Sequence, residues 1–120
     1  MPRILVIDDE LEVRVVLEKI LQSAGHEAVL AANGVEGLRQ YRQSAADLVI
    51  TDLFMPELDG LESIMAFRRE FPEAKLIAIS GNIAADAMLS VARRLGALMV
   101  LEKPFTPEQL LAAIEKVLAR

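Results

Sequence analysis

Short apolar runs rich in branched residues alternate along this chain with longer stretches in which apolar positions recur every three or four residues. Residues 3–7 (RILVI) read as a strand that stops abruptly at Asp8, Asp9 and Glu10. Across 10–24, Val13, Val16, Leu17, Ile20 and Leu21 fall on one helical face, and Gly25 stands where a left-handed C-terminal residue belongs. The unit then repeats. Residues 26–31 form a weaker strand, and Asn33 with Glu36 caps a helix whose stripe is Val35, Leu38 and Tyr41. Residues 47–51 (DLVIT) form a third strand running into Asp52 and the loop LFMPELDG. Asp59 with Glu62 then opens a helix carrying Leu61, Ile64, Met65 and Phe71, which Pro72 stops.

The second half keeps the rhythm. Residues 75–79 (KLIAI) read as a strand ending at Ser80, Gly81 and Asn82. A fourth helix follows over 84–95 with Ala84, Met88, Val91 and Leu95 in register, and Gly96 closes it. Residues 98–101 are a short fifth strand before Glu102, Lys103, Pro104 and Phe105. Thr106, Pro107 and Gln109 then start a last helix bearing Leu110, Leu111, Ile114 and Val117. Strands that are apolar on both faces, each followed by a helix, predict an α/β fold: a parallel five-stranded sheet with helices on both sides.

Composition narrows what such a fold can do. The 120 residues, 53% of them apolar, suffice for one domain spanning 1–120 with a core of its own. The absence of cysteine removes disulfides, thiolate metal sites and cysteine nucleophiles, and fits a cytoplasmic location. A net charge of −5 has the wrong sign for a nucleic-acid footprint. No apolar run approaches the ~20 residues of a membrane span. His26 is the lone histidine and reads as part of an exposed turn, while Arg68-Arg69 and Arg93-Arg94 read as solvated helix faces. The GxxG of Gly34 to Gly37 lacks the basic surroundings of an RNA-binding loop.

The candidate chemistry lies at the strand ends. In an open parallel sheet all C-terminal strand ends share one edge, and ligands bind where the strand order reverses. Asp8 and Asp9 follow the first strand, Asp52 the third, Ser80 the fourth and Lys103 the fifth. In the flavodoxin-like order 2-1-3-4-5 the first and third strands are neighbours, which brings the three aspartates into one pocket. Three carboxylates in a partly dry cleft need a proton or a cation, and oxygen-only donors favour Mg2+. With Lys103 and the Ser80 hydroxyl beside it, an aspartate there is equipped for phosphoryl transfer, which is mostly positioning and charge neutralisation.

Asp8-Asp9, Asp52 followed by Met55-Pro56 and Gly60, Ser80, and Lys103-Pro104-Phe105 together resemble the response-regulator receiver domain of two-component signalling. The resemblance spans essentially the whole chain, with the motifs in order. It implies a doubly wound flavodoxin-like (βα)5 fold with Asp52 as phosphoacceptor. Asp9 would be a direct Mg2+ ligand, Asp8 a ligand through water, and the Phe54 main-chain carbonyl a further ligand beside Asp52. Ser80 and Lys103 would contact the phosphoryl group, and Lys103-Pro104 would be a cis peptide. The implied partners are a sensor histidine kinase or a histidine phosphotransfer protein as donor, and a downstream effector or fused output domain as target. The implied activity is a switch with self-catalysed phosphorylation and dephosphorylation only.

Two positions depart from the pattern. Val100 stands where the family often carries Tyr or Phe, the ring of a rotamer switch. Phe54 and Asn82 occupy positions that tune phosphoryl lifetime in the family, which predicts an altered lifetime here. The surplus apolar surface of the fourth helix offers a place for a partner or for a phosphorylation-dependent dimer. The blander reading of Asp8 and Asp9 is as caps of the first helix, and of Lys103 as a solvated lysine. The competing function is an Mg2+-dependent phosphatase of the haloacid-dehalogenase type, which also forms an aspartyl phosphate. That class wants a second aspartate where this chain has Phe54. A non-catalytic flavodoxin-like binding module would need no such acid cluster.

Overall fold

The first strand lies inside the sheet and is nearly devoid of polar side chains because both of its faces are covered. Ile4, Leu5, Val6 and Ile7 of β1 (Arg3–Ile7) are all buried. In the computed structural model, which describes residues 1–52, 60–80 and 96–120 (for 60–64 and 80 the backbone alone), β1 is followed by α1 (Leu11–Ser23), β2 (Glu27–Ala31), α2 (Gly34–Gln43), β3 (Leu48–Asp52), α3 (Gly60–Glu70), β4 (Leu76–Ser80), β5 (Met99–Glu102) and α4 (Pro107–Leu118). The expected helix over 84–95 lies outside the described residues. All four strand pairings are parallel and the order is β2-β1-β3-β4-β5. This is the flavodoxin-like order that the family resemblance implies.

Alternation along the strands divides the interior into two cores. Leu5, Ile7, Val49, Leu76 and Ala78 point to one face, where Phe67 of α3 is buried and Leu38 and Tyr41 of α2 pack against them. Ile4, Val6, Leu48, Ile50, Ile77 and Ile79 point to the other, under Leu17 and Leu21 of α1 and Leu110, Ala113, Ile114 and Val117 of α4. Burial of each large side chain contributes roughly 1.5–3 kcal/mol.

Local signals fix where the helices begin and end. Asn33 Oδ1 accepts from the Glu36 amide at 2.9 Å, capping α2. Thr106 and Gln109 form a reciprocal capping box with Pro107 in the first turn of α4. Gly25, at φ +83°, ends α1 in a Schellman turn: its amide donates to Gln22 O and the His26 amide to Leu21 O, both at 3.0 Å. Gly96 is likewise left-handed, at φ +98°. Gly37 has a different reason to be glycine, since a Cβ there would overlap the Ile7 side chain of β1.

Several expectations need correction. β3, β4 and β5 each run one residue further than the hydrophobic runs suggest, so Asp52, Ser80 and Glu102 are the last residues of their strands. Val16, Val35 and Met65 are exposed, at 55%, 61% and 44%, although each sits on an apolar helical pattern. Among the described side chains of α3 the one buried in the core is Phe67, four positions before Phe71; the side chains of Leu61 and Ile64 lie outside the described residues. His26 is half-buried, with Nδ1 enclosed and without a hydrogen-bond partner among the described residues. Arg68 is half-buried too, and donates to the carbonyls of Pro72 (2.5 Å) and Gly96 (2.7 Å), tying the end of α3 to the approach to β5. Arg69 is exposed as expected.

Candidate acidic site at the sheet edge

β1 and β3 lie side by side, with Ile7 in register with Thr51, so Asp8 and Asp52 leave the sheet at the same level. Asp8 is 1% exposed and Asp52 4%. Asp52 still belongs to the ladder, opposite Ile79 of β4. Lys103 follows β5 and reaches back across the edge. Its Nζ lies 3.2 Å from Asp52 Oδ2 and 4.0 Å from Asp8 Oδ2. The Lys103-Pro104 peptide is cis, as the family resemblance implies. Lys103 is therefore not the solvated surface lysine of the blander reading.

Asp8 is held from several directions. Its amide donates to Ala31 O of β2 at 3.1 Å, its carbonyl accepts from Arg14 Nη1 at 2.7 Å, and its Oδ1 accepts from the Glu10 amide at 2.9 Å. Oδ2 is buried and has no hydrogen-bond partner among the described residues. The helix cap is Glu10, which makes no capping bond through its side chain, so neither aspartate is a conventional N-cap of α1.

The electrostatics follow from this arrangement. Burial pushes the Asp8 carboxyl up to about 6; the bond from the Glu10 amide opposes that, the Asp52 charge adds to it, and Lys103 opposes it. A proton held on Asp8 can also be donated to Asp52, which favours the protonated form further. Partial burial works against the charge on Lys103, yet its attraction to Asp52, the bond to that carboxylate, and the fields of Asp8 and Glu10 outweigh this and raise its pKa above the ordinary lysine value.

Carboxylate oxygens of Asp8, Asp9 and Glu10 lie within 4.8 Å of one another. Asp9 and Glu10 are exposed, so this cluster opens to solvent above the buried Asp8. Its donor set is oxygen only, and Oδ2 of its buried member, Asp8, has no hydrogen-bond partner among the described residues. Both properties suit a hard divalent cation that keeps part of its water shell. Glu10 was legible only as the end of an acidic run, and Arg14 only as a polar position on α1; neither stood out as part of a site. Phe54, Met55, Pro56, Asp59, Gly81 and Asn82 lie outside the described residues, as does the side chain of Ser80. Ser80 itself ends β4 beside Glu102 of β5, on the same sheet edge.

A family profile described as the response regulator receiver domain matches residues 4–115. The chain belongs to the response-regulator receiver family. Among curated relatives of this receiver is the chemotaxis protein CheY of Thermotoga maritima, 35% identical over 116 residues that cover 96% of each chain. The probable transcriptional regulator ycf27 of Porphyridium aerugineum is 38% identical over 118 residues, covering 98% of this chain but 48% of that protein. Among solved structures, a response regulator receiver domain protein from Clostridium thermocellum superposes with a TM-score of 0.93 at 32% identity, covering 100% of this chain and 96% of that one. The receiver family is a family of phosphoacceptor switches in two-component signalling, and its members generally bind Mg2+ at an acidic pocket. Among the described residues no helix is long and apolar enough to cross a membrane.

Proposed function

We propose that this receiver takes a phosphoryl group onto Asp52 from the phosphohistidine of a partner kinase or phosphotransfer protein, and that the modified surface is read by an effector or output domain. One observation carries the reading: Asp52 is buried at the end of a central strand with Lys103 Nζ 3.2 Å away and the unpartnered Asp8 Oδ2 beside the same lysine. In the transfer, an Asp52 carboxylate oxygen forms a bond to phosphorus. The phosphorus–nitrogen bond of the donor breaks, and its electron pair leaves with the imidazole. Lys103, charged across the neutral pH range, stays beside Asp52 to offset the charge that the phosphoryl oxygens bring.

Asp8 and Asp9, with the Phe54 carbonyl and Asp52, are the residues we assign to Mg2+. The ion, when bound, supplies neutralisation of the acidic pocket and of the phosphoryl oxygens. Asp8 and Asp9 hold ligand oxygens in place, and Ser80 is assigned a hydroxyl contact to the phosphoryl group. The acyl phosphate carries a charge of about −2 in place of the single negative charge of the carboxylate, and adds three acceptor oxygens, which is the change that partners distinguish.

The test is intact-protein mass spectrometry after incubation with Mg2+ and acetyl phosphate. One phosphoryl adduct is expected on the native chain, and none on Asp52→Asn. An adduct of equal yield on Asp52→Asn would sink the assignment. Rapid turnover of unrelated phosphate esters would favour the phosphatase reading.

A further inference from the structure

Among the described residues Arg14 and Lys103 are the cations that reach the acidic turn, and Arg14 does so in an unusual way. It is the fourth residue of α1, close to the positive end of the helix dipole, where a cation is disfavoured. Acidic side chains crowd the neighbouring sequence at Asp8, Asp9, Glu10, Glu12 and Glu18. Among the described residues the guanidinium nevertheless pairs with no carboxylate; its hydrogen bond goes to the main-chain carbonyl of Asp8, at 2.7 Å, from a half-buried position.

That carbonyl lies in the peptide plane joining Asp8 to Asp9. Its direction therefore sets where the chain presents the Asp9 carboxylate relative to Asp8. The other bonds on Asp8 act on different atoms: Ala31 O fixes its amide and the Glu10 amide fixes Oδ1. Without Arg14 the 8–9 peptide would be held on its Asp8 side alone. Resting on the assignment of Asp8 and Asp9 to Mg2+, we propose that Arg14 is a positioning residue: it orients the peptide plane that aims the Asp9 carboxylate at the ion.

The proposal and a purely electrostatic role predict opposite signs. A guanidinium that only adds positive charge near the pocket repels a divalent ion, so removing it tightens binding. A guanidinium that orients the ligands strengthens binding, so removing it weakens it. Groups that hold a metal's ligands in place by hydrogen bonds commonly change its affinity by roughly 10–100-fold.

Calorimetric titration of Mg2+ into the full chain at neutral pH separates these. The native chain should bind, and Asp9→Asn should bind more weakly. Mg2+ binding that ignores Asp9→Asn removes the site assignment and this inference with it. Given that dependence, Arg14→Gln should weaken Mg2+ binding by about tenfold. Arg14→Lys should restore most of the loss, because lysine keeps a donor for the carbonyl while adding no attraction for the ion. Binding by Arg14→Gln as tight as native, or tighter, overturns the positioning role and leaves the site assignment standing. Thermal midpoints without Mg2+ show whether each variant folds. Should Arg14→Gln not fold, nitrogen-15 spectra of the native chain decide. The Arg14 side-chain Nε–H signal should shift together with the Asp9 amide as Mg2+ is added, and a stationary Arg14 signal overturns the proposal.

Discussion

The two edges of the sheet solve the same problem differently. At the N-terminal edge, charged groups are neutralised close to water: the Arg3 amide donates to Asp47 Oδ2 at 2.7 Å, the Arg3 guanidinium meets Glu27 at 3.2 Å, and Lys75 Nζ donates to Arg120 O at 2.6 Å. At the C-terminal edge, two aspartates are buried beside Lys103, and Asp8 Oδ2 has no hydrogen-bond partner among the described residues. The first arrangement stabilises the fold modestly. The second works against it and makes sense only if something else arrives. Among the described residues only His26 Nδ1 shares this lack of a partner, and an incomplete polar cluster beside buried carboxylates is what a ligand site commonly looks like.

That contrast is broken most strongly by neutralising Asp8. Its carboxyl ionises near 3.8 in an ordinary environment and near 6 in the fold, so the folded state holds the proton more tightly. This contribution to stability is complete below the lower value, is lost as pH rises toward 6, and is level beyond. A gap of about two pH units corresponds to about 3 kcal/mol at most. Asp8→Asn should therefore raise the stability of the metal-free protein at pH 7 by about 1–3 kcal/mol, with the advantage fading toward pH 4, as read by urea unfolding across pH. A variant no more stable than native at pH 7 would mean that Asp8 carries no buried-charge penalty.

An effect of comparable size is expected from Mg2+ itself. At roughly a hundredfold excess over its dissociation constant, it should stabilise the native chain by about 2.7 kcal/mol at pH 7 and by less at pH 5, where Asp8 is largely protonated. Thermal unfolding with and without Mg2+ checks this, and equal midpoints at pH 7 would argue against a cation site. The smallest change belongs to the other edge. Asp47→Ala removes the acceptor of the Arg3 amide at an exposed position and should cost at most about 1 kcal/mol, with no dependence on Mg2+. A loss that grew when Mg2+ was added would show that the two edges are coupled.

The sheet and most of its edge residues were readable because strands alternate simply and each apolar run stops at a polar residue. Register at the helices was less readable. Val16, Val35 and Met65 share a helical pattern with buried neighbours, but periodicity alone does not say how far around the helix the sheet's cover extends. Phe67 follows the same period and was obscured by the adjacent Met65. Arg68 and Arg14 look like solvated positions because their partners are main-chain carbonyls, which carry no trace in the sequence. Glu10 joins Asp8 and Asp9 only because the chain turns within those three residues. The Asp8 oxygen without a partner is the least readable feature of all, since it depends on three other bonds to the same residue being made first.

Asp52 is the last rung of β3, in register with Ile79 on the neighbouring strand. The carboxylate we assign to phosphoryl transfer is thus mounted on one of the stiffest parts of the molecule, where local opening would mean tearing the sheet. Under that assignment it is modified in place and not withdrawn. Whatever motion carries a signal away from this edge has to be made by the parts that meet the phosphoryl group, while the residue that bears it serves as a fixed anchor.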